Sequence, residues 1–289
     1  MVAYDRPQTL NEALALRATR ALTVLAGGTD VYPAKAARAG WGDMGHGDVL
    51  DIGGLSELRG ISETPTHWRL GALTTWSDLA AADLPPLFAG YKLAAQAVGG
   101  RQIQNRGTLV GNILTASPAG DGAPNLLVLE ASIELASLGG VRQLPLQQFL
   151  TGYRQTACRS DEIVTAILVP KPRNAARGHF CKLGARKYLV ISIVMVAGVL
   201  EADAAGRVVG ARVAIGACSA VPQRLPMLEA ALAGQPLAAA AGLATAEHLA
   251  GLAPIDDVRA SAAYRRAAAL ALTRDLLAEL AGAAPRRAA

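Results

Sequence analysis

The sequence predicts a mixed α+β protein, with a larger region of alternating strands and helices followed by a smaller module of sheet and helix. Short apolar strands alternate with capped helices up to about residue 169. Beyond residue 175, two long apolar strands precede an alanine-rich helical stretch. The chain has 289 residues and 52% hydrophobic content, which is enough for two or three units that each bury a core.

The larger region opens with a helix. Thr9 to Glu12 form a capping box that starts a helix through about Thr19, and Thr75 to Asp78 form a second one. Residues 87–98 and 125–131 are also predicted as helices, and residues 101–111, which follow two glycines, as a loop. Apolar runs predict strands at residues 21–25, 49–52, 68–73, 132–137, 141–144 and 163–169.

Residues 170–174 have the sequence Pro-Lys-Pro-Arg-Asn and are the best linker candidate, because two prolines interrupt both helix and strand periods. We therefore expect one domain over residues 1–174 and a second over residues 175–289. In the second, residues 191–202 and 208–215 are predicted as paired strands, and residues 227–280 as helical. Within the latter, residues 237–252 are alanine-rich but keep apolar spacing, so they are predicted as packed helix.

Composition argues against several classes of protein. The three cysteines stand far apart without a C-x-x-C pair, so we expect neither a disulfide framework nor a metal cluster held by this chain alone. The net charge is +5, but no nucleic-acid-binding motif accompanies it. The longest apolar run is far shorter than the roughly 20 residues of a membrane-spanning helix. The first residues lack a secretory signal, so the expected location is the cytoplasm.

Two glycine-rich segments are candidates for phosphate binding. Residues 26–30, Ala-Gly-Gly-Thr-Asp, follow a predicted strand directly, and glycines there let backbone N–H groups approach an anion. Residues 107–112 and 117–122 form a second cluster of small residues, and two such loops can hold one long dinucleotide. Asp121 offers a carboxylate suited to ribose hydroxyls. An ordinary polar turn remains the alternative for residues 117–122.

One dinucleotide motif is rejected. Residues 40–45 fit the G-x-G-x-x-G pattern. The preceding residues 31–39 contain Pro33, Lys35 and Arg38 and do not form a predicted strand, and no helix is predicted after Gly45. We therefore interpret this stretch as a loop.

The same residues resemble the FAD-binding subunit of molybdenum hydroxylases, the family of xanthine dehydrogenase and carbon monoxide dehydrogenase. Residues 26–30 resemble its first glycine loop, residues 102–113 its second, and residues 116–121 the segment that closes over the nucleotide. The resemblance extends almost from end to end, through residues 51–59, 149–154 and 254–259.

The resemblance implies a two-lobed FAD-binding domain of the p-cresol methylhydroxylase type, with lobes of about residues 1–54 and 55–174, and a small C-terminal domain like that of the carbon monoxide dehydrogenase flavoprotein. It places apolar residues beside the flavin at Val98 and Val164, and a basic residue near the isoalloxazine at Lys182. The FAD contacts that it implies are Leu25, Ala26, Gly27, Gly28, Thr29, Asp30, Val31, Val98, Thr108, Gly111, Asn112, Leu114, Ser117, Asp121, Val164 and Lys182.

Two positions depart from the family pattern. Val110 stands where the family usually has a second glycine, and Val190 stands where many relatives have an acidic residue before Ile191 and Ser192. The cysteine-rich insertion that holds an extra iron-sulfur cluster in some relatives is absent from this sequence.

The implied function is an electron relay through noncovalently bound FAD. An iron-sulfur small subunit and a molybdenum-binding large subunit would be the partners, in a dimer of heterotrimers, and no side chain of this chain would act as acid or base on the organic substrate. Two alternatives stay open. One is a self-sufficient flavin oxidase of the same fold class, and the other is a flavin-free structural or assembly subunit.

Overall fold

A computed structural model describes residues 3–40 and 47–282 of the chain. The first lobe contains β1 (Tyr4–Asp5), α1 (Leu10–Thr19), β2 (Thr23–Leu25), α2 (Val31–Gly40) and β3 (Val49–Asp51). Its strands form a parallel sheet in the order β1-β3-β2. The Thr9 side chain caps α1 by accepting a hydrogen bond from the Glu12 N–H, as the sequence predicts.

The second lobe is built on a five-stranded antiparallel sheet in the order β4-β5-β10-β6-β7. Its central strand, β10, is buried along nearly its whole length, which agrees with a sequence that is apolar except at Thr165. The elements of this lobe are β4 (Ile61–Glu63), β5 (His67–Gly71), α3 (Trp76–Ala81), α4 (Ala89–Ala97), α5 (Arg101–Arg106), α6 (Leu109–Thr115), α7 (Gly122–Val128), β6 (Ser132–Ser137), β7 (Gly140–Pro145), α8 (Leu146–Phe149), β8 (Leu150–Gly152), β9 (Gln155–Thr156) and β10 (Ile163–Pro170).

The C-terminal part is an antiparallel sheet in the order β11-β12-β13-β14 with helices packed against it. A turn at Gly206, with φ of 72°, joins β12 to β13. Its elements are β11 (Ala176–Leu183), β12 (Val194–Ala202), β13 (Val208–Gly216), β14 (Gln223–Arg224), α9 (Pro226–Leu232), α10 (Ala240–Leu243) and α11 (Ala262–Leu280).

The two faces of β12 belong to two different cores. Met195, Ala197 and Val199 pack with the residues of the first two lobes. Val194 and Val196 pack with α11 and the other C-terminal helices. Because side chains alternate across a strand, one apolar run closes both cores. The architecture confirms the predicted α+β class.

Some predicted segments differ from the structure. Residues 101–111 were expected to form a loop, but α5 and the start of α6 lie there. Residues 31–40 form α2, with Pro33 in its first turn, where a proline is tolerated. Residues 237–252 are not one packed helix but short helical turns and α10. Apart from Gly40, the rejected motif at residues 40–45 lies outside the described residues.

Candidate functional site

A cavity of about 660 Å³ lies between the first loop, α6 and β10. Of the FAD contacts implied by resemblance, those that line this cavity are Ala26, Gly27, Gly28, Thr29, Asp30, Val31, Val98, Thr108, Gly111, Asn112, Leu114, Ser117 and Val164. Leu25, Asp121 and Lys182 are not among the lining residues. The structure thus brings together two loops that are some 80 residues apart in the sequence.

The first loop connects the end of β2 to the start of α2. None of the N–H groups of residues 27–31 donates a hydrogen bond within the part of the chain that the structure describes. These donors sit at the N-terminus of a ten-residue helix, where the helix dipole favours negative charge. The loop can therefore receive an anionic group such as a pyrophosphate.

The two glycines of this loop have different structural roles. Gly28 has φ of 76°, a left-handed conformation, and a Cβ there would lie 2.7 Å from the Tyr32 ring. A Cβ on Gly27 would overlap the backbone carbonyl oxygen of Arg106. Both glycines were predicted to let a phosphate approach the backbone. The structure shows that Gly27 also lets the two loops come into contact.

The second glycine-rich segment, residues 107–122, contains α6 and is held in place by hydrogen bonds to its own side chains. Thr108 caps α6, and its Oγ1 accepts a hydrogen bond from the Gly111 N–H at 3.0 Å. The Asn112 Oδ1 accepts a hydrogen bond from the Gly122 N–H at 3.2 Å. Val110, at the position of the family glycine, is buried in the first turn of α6 and lines the cavity. The Val110 side chain is therefore buried against the cavity wall, at a position where the family usually has glycine.

Asp121 takes part in a buried ion pair. Its Oδ2 lies 2.6 Å from the Lys182 Nζ, and its Oδ1 accepts a hydrogen bond from the Ser192 hydroxyl at 2.7 Å. Burial raises the pKa of the Asp121 carboxyl, while Lys182 and Ser192 act to lower that pKa. The Asp121 carboxylate was predicted to bind ribose hydroxyls, but in the structure both of its oxygens accept hydrogen bonds from protein side chains.

This ion pair lies next to the cavity wall. The Lys182 Nζ also approaches the Ala97 carbonyl oxygen at 3.5 Å, and Ala97 precedes the lining residue Val98. Because Lys182 is on β11 and Asp121 precedes α7, the ion pair links the C-terminal sheet to the second lobe. Ser192 was not among the predicted site residues.

Several other residues of the cavity wall were not predicted from the sequence. Leu22, Val24 and Cys158 line one part of it, together with Arg17 and Arg154. These residues are far apart in sequence and carry no common motif, so only the folded chain reveals them. Burial raises the pKa of the Cys158 thiol to about 11, which leaves the thiol protonated and unreactive near neutral pH.

The cavity has the properties that FAD requires. Its volume falls within the range of roughly 300–1,000 Å³ that is typical of small-molecule sites. The cavity is lined by the residues of the first loop, whose N–H groups have no partner among the described residues, and by the apolar side chains of Leu22, Val24, Val98 and Ile103. Across residues 3–40 and 47–282, no three His, Cys, Asp or Glu side chains group as metal ligands would. No described helix is long and apolar enough to cross a membrane.

Known proteins share both the sequence and this fold. Residues 1–172 match the family described as FAD binding domain in molybdopterin dehydrogenase, and residues 179–280 match the CO dehydrogenase flavoprotein C-terminal domain. The nicotinate dehydrogenase FAD-subunit of Eubacterium barkeri is 33% identical over 81% of this chain and 80% of its own length. The xanthine dehydrogenase FAD-binding subunit of Escherichia coli O157:H7 is 30% identical over 98% of this chain and 97% of its own.

A solved structure of reconstituted CO dehydrogenase from Oligotropha carboxidovorans superimposes with a TM-score of 0.87 at 26% identity, covering 98% of this chain and 99% of that one. The first family match covers more than half of the chain and includes both glycine loops. The chain therefore belongs to the family of FAD-binding subunits of molybdopterin-dependent dehydrogenases.

Proposed function

We propose that this chain is the FAD-binding subunit of a molybdenum hydroxylase, and that it passes electrons from an iron-sulfur centre on a partner subunit to a final acceptor. The observation that carries the proposal is the contact between the two glycine loops at Gly27 and Arg106, beside backbone donors that have no partner among the described residues, in a cavity of about 660 Å³. A loop pair of this kind fits a long dinucleotide with a central pyrophosphate.

We further propose which residues hold the cofactor. The N–H groups of residues 27–31 would bind the pyrophosphate, and Thr108, Asn112 and Ser117 would supply polar groups beside it. Val98 and Val164 would contact the flavin through apolar surface. When bound, FAD supplies the capacity to accept electrons one at a time and to release them as a pair.

In the proposal, Leu25 acts through its backbone only, because its side chain is buried in the core. Asp121 and Lys182 hold each other and position the cavity wall, and are not required to contact the nucleotide directly. The proposed domains are residues 1–174 for FAD binding and residues 175–289 for the C-terminal module.

The partners in this proposal are an iron-sulfur small subunit and a molybdenum-binding large subunit, arranged as a dimer of heterotrimers. Support comes from the relatives, which include a nicotine 6-hydroxylase medium subunit and a carbon monoxide dehydrogenase medium chain. A cytoplasmic location is proposed from the sequence alone.

Two measurements test the function. Purified full-length chain should contain close to one FAD per chain, and acid precipitation should release the flavin into the supernatant. Flavin retained on the precipitated polypeptide would contradict noncovalent binding, and colourless protein that takes up no FAD would favour the flavin-free subunit.

Co-expression with the neighbouring reading frames tests the relay. We expect a stable complex whose flavin is reduced by an organic substrate only when molybdenum and iron-sulfur subunits are present. Substrate turnover by this chain alone would favour the self-sufficient oxidase.

A further inference from the structure

A tight hairpin presents an arginine to the nucleotide cavity. β8 and β9 pair through Gly152 and Gln155, and Tyr153 and Arg154 form the turn between them. Arg154 has φ of 52°, in the left-handed region that favours glycine or asparagine at this position of a turn. Its N–H donates to the Ala116 carbonyl oxygen at 3.0 Å, which fixes the hairpin against the end of α6.

The guanidinium of Arg154 has no hydrogen-bond or ion-pair partner among the described residues, although it lines the cavity and is exposed. Two other charged residues that line the cavity, Arg17 and Glu162, are engaged with protein groups. Arg17 donates to the carbonyl oxygens of Leu22 and Glu162. The Glu162 carboxylate pairs with Arg142, which lowers the pKa of that carboxyl.

Arg154 therefore brings a positive charge, without an ion-pair partner among the described residues, to the wall of a cavity that is also lined by the backbone donors of residues 27–31. Its backbone conformation would be adopted more readily by glycine, so local preference does not explain an arginine at this turn. A side chain held against its local preference and without a protein partner indicates a ligand contact.

We propose that the Arg154 guanidinium binds the dinucleotide, by a hydrogen bond to one of its phosphate or ribose oxygens. This inference rests on the proposed function. Arg154 stands four residues before Cys158, and the Arg17 hydrogen bonds and the Cys158 contact with Glu162 gather Leu22, Cys158 and Glu162 at the same part of the wall.

The sharpest variant is Arg154→Gly, because glycine removes the guanidinium and also relieves the left-handed backbone. A structural role for the arginine predicts loss of stability. A ligand role predicts unchanged or raised thermal stability of the flavin-free full-length chain, together with a Kd for FAD raised by about ten- to a hundredfold, as expected for the loss of a charged hydrogen bond. The binding of FAD to the variant should also depend less on salt than the binding to the wild type.

Separate halves of the cofactor locate the contact. Titrations with ADP and with FMN should show that the variant binds at least one of the two more weakly than the wild type does, and the half that loses affinity is the half that the arginine contacts. Arg173→Gly is the matched control, because Arg173 is exposed and does not line the cavity, and its FAD affinity should equal that of the wild type. Arg154→Lys should recover part of the affinity.

The outcomes separate this inference from the proposed function. A wild-type chain that binds no FAD would overturn both. Wild-type and Arg154→Gly chains with equal Kd values for FAD would overturn the Arg154 assignment alone. A variant that binds both ADP and FMN as tightly as the wild type does would overturn that assignment as well.

Discussion

The backbone carbonyl oxygen of Arg106 occupies the space that a side chain at residue 27 would need. Gly107, the next residue, is also confined, though less severely, since its Cβ would lie 3.2 Å from the Thr29 Oγ1. The two phosphate-binding candidates are therefore one structural unit. Any substitution at Gly27 moves one loop away from the other and changes the position of the unused N–H groups.

Gly27→Ala should lower the free energy of unfolding by about 1–3 kcal/mol, the usual cost of overpacking a closed contact. It should also raise the Kd for FAD at least tenfold, because the donors no longer converge. Flavin fluorescence titration and urea unfolding measure the two effects. Gly242→Ala is the control, since nothing lies within 4 Å of a Cβ at that helical glycine. An unchanged Kd for Gly27→Ala would show that the loop contact is unnecessary for binding.

At the scale of elements, local signals were readable from the sequence and long-range ones were not. The capping box at Thr75 is complete, with the Thr75 hydroxyl accepting from the Asp78 N–H and the Asp78 carboxylate accepting from the Thr75 N–H. The box at Thr9 is half formed, because the Glu12 carboxylate accepts from the Gln8 N–H instead. Both helix starts were still predicted correctly, since the cap residue itself determines the start.

Helix α5 escaped prediction for a physical reason. It has six residues, none of them buried, and it follows two glycines, so neither periodicity nor an apolar face indicated a helix.

The same difference between local and long-range signals applies to the site. The glycine loops were predicted because their motifs are short and local. Arg154 and Ser192 were not, because each is placed by a hydrogen bond to a residue more than 35 positions away in the sequence.

The segment before α11 is fastened by one carboxylate. The Asp257 Oδ1 accepts a hydrogen bond from Arg265, whose side chain is 4% exposed and also donates to the Ile193 and Ala217 carbonyl oxygens. The backbone N–H of Arg259, the Arg265 guanidinium and the Ala260 N–H together hold the pKa of Asp257 at about 2, below its ordinary value of 3.8. The contact thus stabilises the folded state while the carboxyl is ionised.

Asp257→Asn should reduce the free energy of unfolding near pH 7 by about 1–3 kcal/mol, because it leaves the buried guanidinium without its charged partner. Arg259→Ala removes the exposed partner of the same carboxylate and should cost less than about 1 kcal/mol. Since the folded-state pKa is depressed, the wild-type advantage is present above pH 3.8 and disappears as pH falls towards about 2. Urea unfolding across this pH range checks the sign, and a difference that grew on acidification would contradict it.

At the scale of the whole molecule, the C-terminal module is interlocked with the lobe that carries the cavity. A Cβ on Gly90 of α4 would lie 2.7 Å from the His179 backbone, and one on Gly178 would overlap the Leu87 carbonyl oxygen. These glycines allow β11 to lie directly on α4 and the turn before it. The face of β12 that packs into the first core adds apolar contact to this close approach.

Residues 1–174 expressed alone should therefore be less stable than the full chain, and should bind FAD at least tenfold more weakly. The segment lacks Lys182 and Ser192, so the Asp121 carboxyl loses both of its side-chain partners, and α4 and α7 lose the apolar cover of β11 and β12. Thermal unfolding and FAD titration of the segment and the full chain measure both losses. A full-length Lys182→Met variant separates the causes, because it removes the ion pair while keeping the sheet in place. If the segment bound FAD with the affinity of the full chain, the cavity would depend on the N-terminal lobes alone, and the interlocked sheet would serve another purpose than holding the nucleotide site.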